Sequence, residues 1–233
     1  AFVEQNWSDE FDHYTNQHDL QTGDGLVGWR GLYEIAWTGE MIQGFPFLVA
    51  EDVLDLPEGY FSGRKNGRTL IGEVAASVNP VSGLFFDLVQ NLNGSRVNGW
   101  WSPMKVAWDC HASYTNGQAL YYLFLAIMRL RERKRPVAEA WLSAAIRVAD
   151  AFIELQREDG CCGYAYHADR REVSDWDGFA GCWVVAAFAA ANRCIGESGY
   201  LDAACKGMQF YRQDVIECNV CGTPMDTWKS PDE

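Results

Sequence analysis

Phe152-Ile153-Glu154-Leu155-Gln156-Arg157-Glu158-Asp159-Gly160-Cys161-Cys162-Gly163-Tyr164 is the place where one kind of helix in this chain stops and the backbone turns back. Upstream of it, Val137, Trp141, Ala144, Val148, Phe152 and Leu155 recur at three-to-four spacing. Glu139, Arg147, Asp150 and Glu154 lie opposite, so Val137 to Leu155 reads as a helix with one wet face. Gly160 supplies the left-handed residue that ends such a helix. The aromatics that follow, through Tyr166, indicate a short extended or hairpin segment. Beyond it, Phe179 to Ala191 carries no charge at all, the pattern of a helix buried on every side.

Working outward, the same alternation recurs. Gly117 to Leu130 is apolar almost all round, and Tyr200 to Glu217 sets Leu201, Ala204, Met208, Tyr211 and Val215 against Asp202, Lys206, Arg212 and Asp214. An earlier pair fits less cleanly: Trp29 to Gln43 as an inner helix, Arg68 to Val78 as an outer one, and Val49 to Asn66 as an irregular insertion. Inner, outer, inner, outer is the pattern of two concentric helix layers. Each outer helix is followed by a similar descent, at Pro80–Asp87, Glu158–Tyr166 and Glu217–Thr223, too elaborate for a mere connector. The expectation is one all-α domain over residues 1–233, with a loop-rich segment at 1–23, helical hairpins over 24–233, and long loops carrying short β segments.

Each inner helix is preceded by a loop rich in glycine and aromatics that carries an acid. These are Gly23-Asp24-Gly25-Leu26-Val27-Gly28-Trp29, Trp108-Asp109-Cys110-His111-Ala112 and Trp176-Asp177-Gly178-Phe179, with a fourth beginning at Asp226-Thr227-Trp228. The spacing between these anchors is uneven and longer than the roughly 34 to 47 residues of helical solenoid repeats. It suits helical hairpins with variable loops gathered at one end.

The run from Phe152 to Tyr164 resembles the helix-Gln-x-x-Asp-Gly-x-x-Gly-aromatic turns of the (α/α) toroids of the six-hairpin glycosidase type, and the hairpin grammar extends the resemblance from about residue 24 to the end of the sequence. The resemblance implies a carbohydrate site at the end of the barrel where inner helices begin. Relatives of that fold include glycoside hydrolases, polysaccharide lyases, sugar 2-epimerases, terpenoid cyclases and lanthionine cyclases. A complete toroid has six hairpins, whereas three and the start of a fourth are legible here. The apolar flank of such an incomplete ring calls for further hairpins or a partner chain.

Composition narrows the partners. The net charge of −13 repels phosphate backbones and anionic lipid, which argues against nucleic acid and membrane surfaces. The one basic run, Arg131 to Arg135, falls where a helix should end and complements its dipole. The longest apolar stretch, Phe179 to Ala191, is shorter than the roughly 20 residues of a membrane span. The first residues lack the pattern of a signal peptide, and scattered thiols lean toward a reducing compartment, so a cytoplasmic location is expected. Cys182, Cys194 and Cys205 fall within helical patterns and read as small buried hydrophobes.

The chemistry expected of the loops is glycosidic hydrolysis, which needs one carboxyl group to protonate the leaving oxygen and another to activate water or attack. Asp109, Asp175 and Asp177 are the catalytic candidates. Asp109 and Asp177 suit a base or substrate ligand, and Asp175, beside Trp176, suits the proton donor. By resemblance the reaction inverts. Asp24, Trp108, His111, Tyr166, His167, Trp176, Asp226 and Trp228 are the candidate substrate ligands, with indole faces packing on sugar rings and acids binding hydroxyls. Competing roles are available to each: an Asp at a helix start is an N-cap, and burial is the usual fate of a Trp. His111 or His167 could instead be the base of a sugar epimerase or lyase, or the domain could bind sugar without turnover. Cys110 and His111 with Cys161, Cys162, Cys218 or Cys221 offer the residue types of tetrahedral zinc, as in lanthionine cyclases. Their dispersal over separate loops leaves no metal and no cofactor in the expected site.

Overall fold

The computed structural model describes residues 32–34, 40–54, 67–86, 88–90, 96–97 and 110–217. Six helices occur among them: α1 (Glu40–Val53), α2 (Gly67–Ala75), α3 (Ser113–Glu132), α4 (Glu139–Leu155), α5 (Cys182–Ile195) and α6 (Ser198–Glu217). Short strands form two antiparallel sheets: β1 (Leu32–Glu34), β2 (Leu88–Gln90) and β3 (Arg96–Val97) in one, β4 (Cys110–Ala112), β5 (Ala165–His167) and β6 (Val173–Asp175) in the other. The all-α architecture of hairpins with short β segments in the loops is as expected.

Helices α1, α3 and α5 lie side by side as the inner layer, and α2, α4 and α6 back them as the outer layer. The core runs between the layers through Met41, Leu70, Ile71, Leu120, Phe124, Ile127, Val148, Phe152, Val184 and Phe188, each buried. The α3–α5 contact is the tightest of these. A Cβ on Gly117 would stand 2.7 Å from the Val184 nitrogen and 2.8 Å from the Trp183 carbonyl carbon, so only glycine admits this approach. Arg131 in the last turn of α3 donates to the Cys194 carbonyl at 2.7 Å, satisfying one of the open acceptors at the end of α5.

The first hairpin departs from the sequence expectation. Leu32–Glu34 is a strand paired with Leu88–Gln90, and the helix begins only at Glu40 and runs to Val53, through the start of the supposed insertion. Gly44 and Pro46 both weaken helix locally, which masks the pattern. Packing overrides them: an added Cβ on Gly44 would lie 3.0 Å from Leu70 Cβ, so α1 and α2 touch closely here.

Helix α4 presents the faces expected of it, with Trp141, Ala144, Val148 and Phe152 inward and Glu139, Arg147, Asp150 and Glu154 in solvent. Helix α6 does not. Its buried stripe is Tyr200, Ala203, Ala204, Gly207 and Tyr211, while Leu201 and Met208 are 46% and 61% exposed. Cys205, expected in the interior, is exposed, and Cys182 and Cys194 are half-buried. Helix α5 is likewise open along Cys182, Ala186 and Ala189. The reason is common to both: no described element covers that flank.

Candidate functional site

The sheet β4–β5–β6 gathers the loops at one end of the inner helices. Strand β4 runs directly into α3, and β6 leads through residues 176–181 into α5. Cys110 pairs with His167, His111 with Tyr166, Ala112 with Ala165, and Ala165 with Asp175. One small sheet therefore brings His111, Tyr166, His167 and Asp175 to the start of two inner helices.

The turn after α4 locks this sheet to the helices. Gly160 takes φ +97°, and a Cβ there would meet the Lys206 carbonyl oxygen at 2.2 Å, so conformation and space both demand glycine. The Gln156 side-chain amide donates to the carbonyls of Gly160 and Ala203, both at 3.0 Å, tying the turn to α6. Asp159 accepts the Cys161 N–H at 3.0 Å and grips Arg157 through both carboxylate oxygens at 2.8 to 3.0 Å. The Arg157 hydrogen bond holds the Asp159 carboxyl below the usual carboxylate range. Ser113, the first residue of α3, donates to the Gly163 carbonyl. The Gln, Asp and Gly of the turn are thus structural, each for a separate physical reason.

Trp176 stands beyond β6, 37% exposed, with exposed Asp175 and Asp177 on either side. The Arg157 guanidinium lies 4.9 Å from the centre of the Trp176 ring and 5.6 Å from that of Phe210. Neither acid caps α5, whose N-cap is Gly181 with no side-chain bond. Asp175 Oδ1 instead accepts the Asp177 N–H at 2.9 Å, shaping the turn that carries the indole. The capping role open to Asp177 in the sequence is therefore not the one it has. Asp175 is exposed rather than set in the drier surroundings a proton donor would favour.

The two histidines separate. His111 is buried, its Nε2 2.9 Å from Ser82 Oγ and 3.4 Å from Asn79 Nδ2, and its Nδ1 has no partner. Burial pulls its pKa down to about 4, so the ring is neutral. His167 is half-buried, with Nε2 2.8 Å from an Arg170 nitrogen. Tyr166 is buried against Phe152, and burial raises its hydroxyl pKa well above the ordinary value. Asp24, Trp108, Asp109, Asp226 and Trp228 lie outside the described residues. Among the described residues no group of three or more His, Cys, Asp or Glu is placed to hold a metal ion, and no helix is long and apolar enough to cross a membrane. The sequence reading missed Ser82 and Asn79 beneath His111, and Arg157 beside Trp176. Arg157 lies inside the diagnostic turn, but nothing in the sequence signals its contact with an indole nineteen positions on.

An apolar groove of about 730 Å³ lies between α5 and α6, reaching Cys182 at the start of α5. Val185, Ala186, Ala189, Leu201, Ala204 and Met208 line it, with Gln209 and Arg212 among the few polar groups.

No family model matches the chain, and no curated protein matches it. Solved structures do. The unsaturated glucuronyl hydrolase of Bacillus sp. GL1, described as responsible for glycosaminoglycan degradation, superposes with a TM-score of 0.63 at 13% identity, over 97% of this chain and 59% of that one. The cellobiose 2-epimerase of Spirochaeta thermophila gives 0.55 at 13% identity, over 93% and 55%. A D-mannose isomerase gives 0.53 at 16% identity, over 81% and 44%. The chain thus spans about three-fifths or less of the length of these structures. Its fold is the (α/α) toroid of helical hairpins, present in part.

Proposed function

We propose that this chain forms part of a carbohydrate-active enzyme, and that the reaction is glycoside hydrolysis by paired loop carboxylates. The observation that carries the reading is an exposed indole, Trp176, set between two exposed carboxylates at the start of an inner helix. An indole face packs on the C–H face of a sugar ring, and carboxylates beside it accept hydroxyl hydrogen bonds. In the hydrolytic reading Asp177 or Asp109 serves as the base and Asp175 as the acid, with roughly 6.5 to 9.5 Å between the pair if the reaction inverts. Asp24, Trp108, Asp226 and Trp228 complete the substrate contacts. The substrate is an oligosaccharide or polysaccharide, and no cofactor takes part. Further hairpins or a partner chain cover the flank of α5 and α6; its support is the apolar groove there and the greater length of the superposed structures.

The test is reducing-sugar release and equilibrium binding across a panel of glycans, comparing wild type with Asp177→Asn and Trp176→Ala. Loss of turnover in the first and of binding in the second supports the assignment. Wild-type behaviour of both on every bound sugar removes it, and binding without turnover by wild type selects a non-catalytic sugar-binding domain.

A second reading, sugar epimerisation or isomerisation, is favoured by two of the superposed structures. The base would then be His167, since His111 is buried whereas His167 is only half-buried. A product of unchanged chain length, abolished by His167→Ala, identifies it.

A further inference from the structure

The Trp176 indole lies on an exposed loop where its orientation is not set by burial. A mobile indole would lose orientational freedom on meeting a sugar, and that loss would subtract from affinity. One contact opposes such motion. The Arg157 guanidinium lies over both the Trp176 and Phe210 rings, 4.9 and 5.6 Å from their centres. A cation within about 6 Å of an aromatic centroid is attracted to the ring face. Arg157 is itself restrained by the two-oxygen grip of Asp159, whose Oδ1 also holds the Cys161 N–H. Phe210 belongs to α6, so the chain of contacts runs from an outer helix, through one cation, to the loop that starts an inner helix.

We propose that Arg157 is a positioning residue that fixes the Trp176 ring for stacking on a sugar, with Asp159 and Phe210 fixing Arg157 in turn. This rests on the reading of Trp176 as a sugar platform. Arg157 acts through the indole and need not touch the substrate. The planar guanidinium matters as well as its charge, because a guanidinium can stack on a ring face while both oxygens of a carboxylate engage its edge. A lysine keeps the charge and loses that fork.

The experiment compares wild type, Trp176→Ala, Arg157→Leu and Arg157→Lys. Dissociation constants are measured for whichever glycans of a neutral oligosaccharide panel bind wild type. The Trp176 indole N–H resonance, assigned by its disappearance in Trp176→Ala, is recorded for each variant together with the melting temperature. Arg157→Leu is expected to shift and broaden the indole resonance and to weaken glycan binding roughly two- to fivefold, in line with the strength of an exposed cation–π contact. Arg157→Lys is expected to restore binding only in part, with the melting temperature of both near wild type. Weakened binding in Trp176→Ala together with wild-type binding and an unmoved indole signal in Arg157→Leu overturns the role of Arg157 and leaves the platform standing. Wild-type binding in Trp176→Ala, or no glycan bound by wild type, removes the platform itself.

Discussion

The Tyr211 hydroxyl and the Cys162 peptide are joined in both directions: the hydroxyl donates to the Cys162 carbonyl at 2.6 Å and accepts the Cys162 N–H at 3.2 Å. Tyr211 comes from outer helix α6 and Cys162 from the turn after α4, so one phenol fastens the second hairpin to the third. Tyr211→Phe leaves the buried Cys162 N–H without this partner and its carbonyl with only the weak Cys161 thiol donor at 3.5 Å. The expected loss is about 1–3 kcal/mol of unfolding free energy, measured by urea denaturation. A loss under about 0.5 kcal/mol would show that water replaces the hydroxyl there.

Gly117 sets the spacing of α3 and α5. The methyl of Gly117→Ala meets backbone atoms of Trp183 and Val184 inside 3 Å, which cannot yield as a flexible side chain would. Forcing the helices apart is expected to cost about 1–3 kcal/mol despite the better helix propensity of alanine. Thermal unfolding of the variant checks this, and an unchanged or raised midpoint contradicts it.

Stability should fall on acidification through His111. Its pKa is pulled to about 4 in the folded protein against 6.5 for the free side chain, so below 6.5 the unfolded chain binds a proton that the folded chain refuses. The neutral-ring contribution is complete above pH 6.5 and is lost as the pH falls toward 4, by about 3 kcal/mol in total. Urea titrations at intervals across that window, wild type against His111→Gln, isolate the contribution as a difference in slope. Parallel slopes would falsify the assignment.

The groove between α5 and α6 should bind apolar probes. Leu201 and Met208 are the large hydrophobic side chains exposed along it. Anilinonaphthalene sulfonate fluorescence is expected with the folded chain and should drop severalfold in a Leu201→Lys, Met208→Glu double variant that keeps its helical circular dichroism. Undiminished fluorescence places the probe elsewhere.

The hairpin grammar was legible because its signals are local. The charge-free run at 179–191, the one-sided helix ending at Leu155 and the left-handed Gly160 each reflect a helix period or a backbone conformation, although Gly160 shapes the turn beyond α4 and does not end the helix, whose C-cap is Gln156 in extended conformation. The first hairpin was harder to read, since Gly44 and Pro46 obscure a helix that tertiary contact with Leu70 sustains. The buried side of α6 was legible at Ala204 and Tyr211 but not at Leu201 and Met208, which have the spacing of a core stripe; only neighbouring elements decide whether such a stripe meets protein. At the site, sequence placed Trp176 between acids but not what the acids do. Asp175 shapes the turn instead of capping α5, and the Arg157–Trp176 contact depends on three segments meeting.

As a lateral array, the inner layer couples each helix to its neighbours, and stability is the sum of unit and interface terms. Helix α3 has an inner neighbour on both sides, α1 and α5, whereas α5 has one among the described elements. The α5–α6 pair, like the α1–α2 pair, therefore lacks one coupling energy that α3 enjoys among the described elements, and local opening should begin in these flanking hairpins and reach α3 last. Amide hydrogen exchange would register this as a gradient of protection across the three hairpins. Seating any ligand or chain on the open flank should flatten that gradient, so the flank would govern how long the Trp176 loop, which leads into α5, keeps its shape.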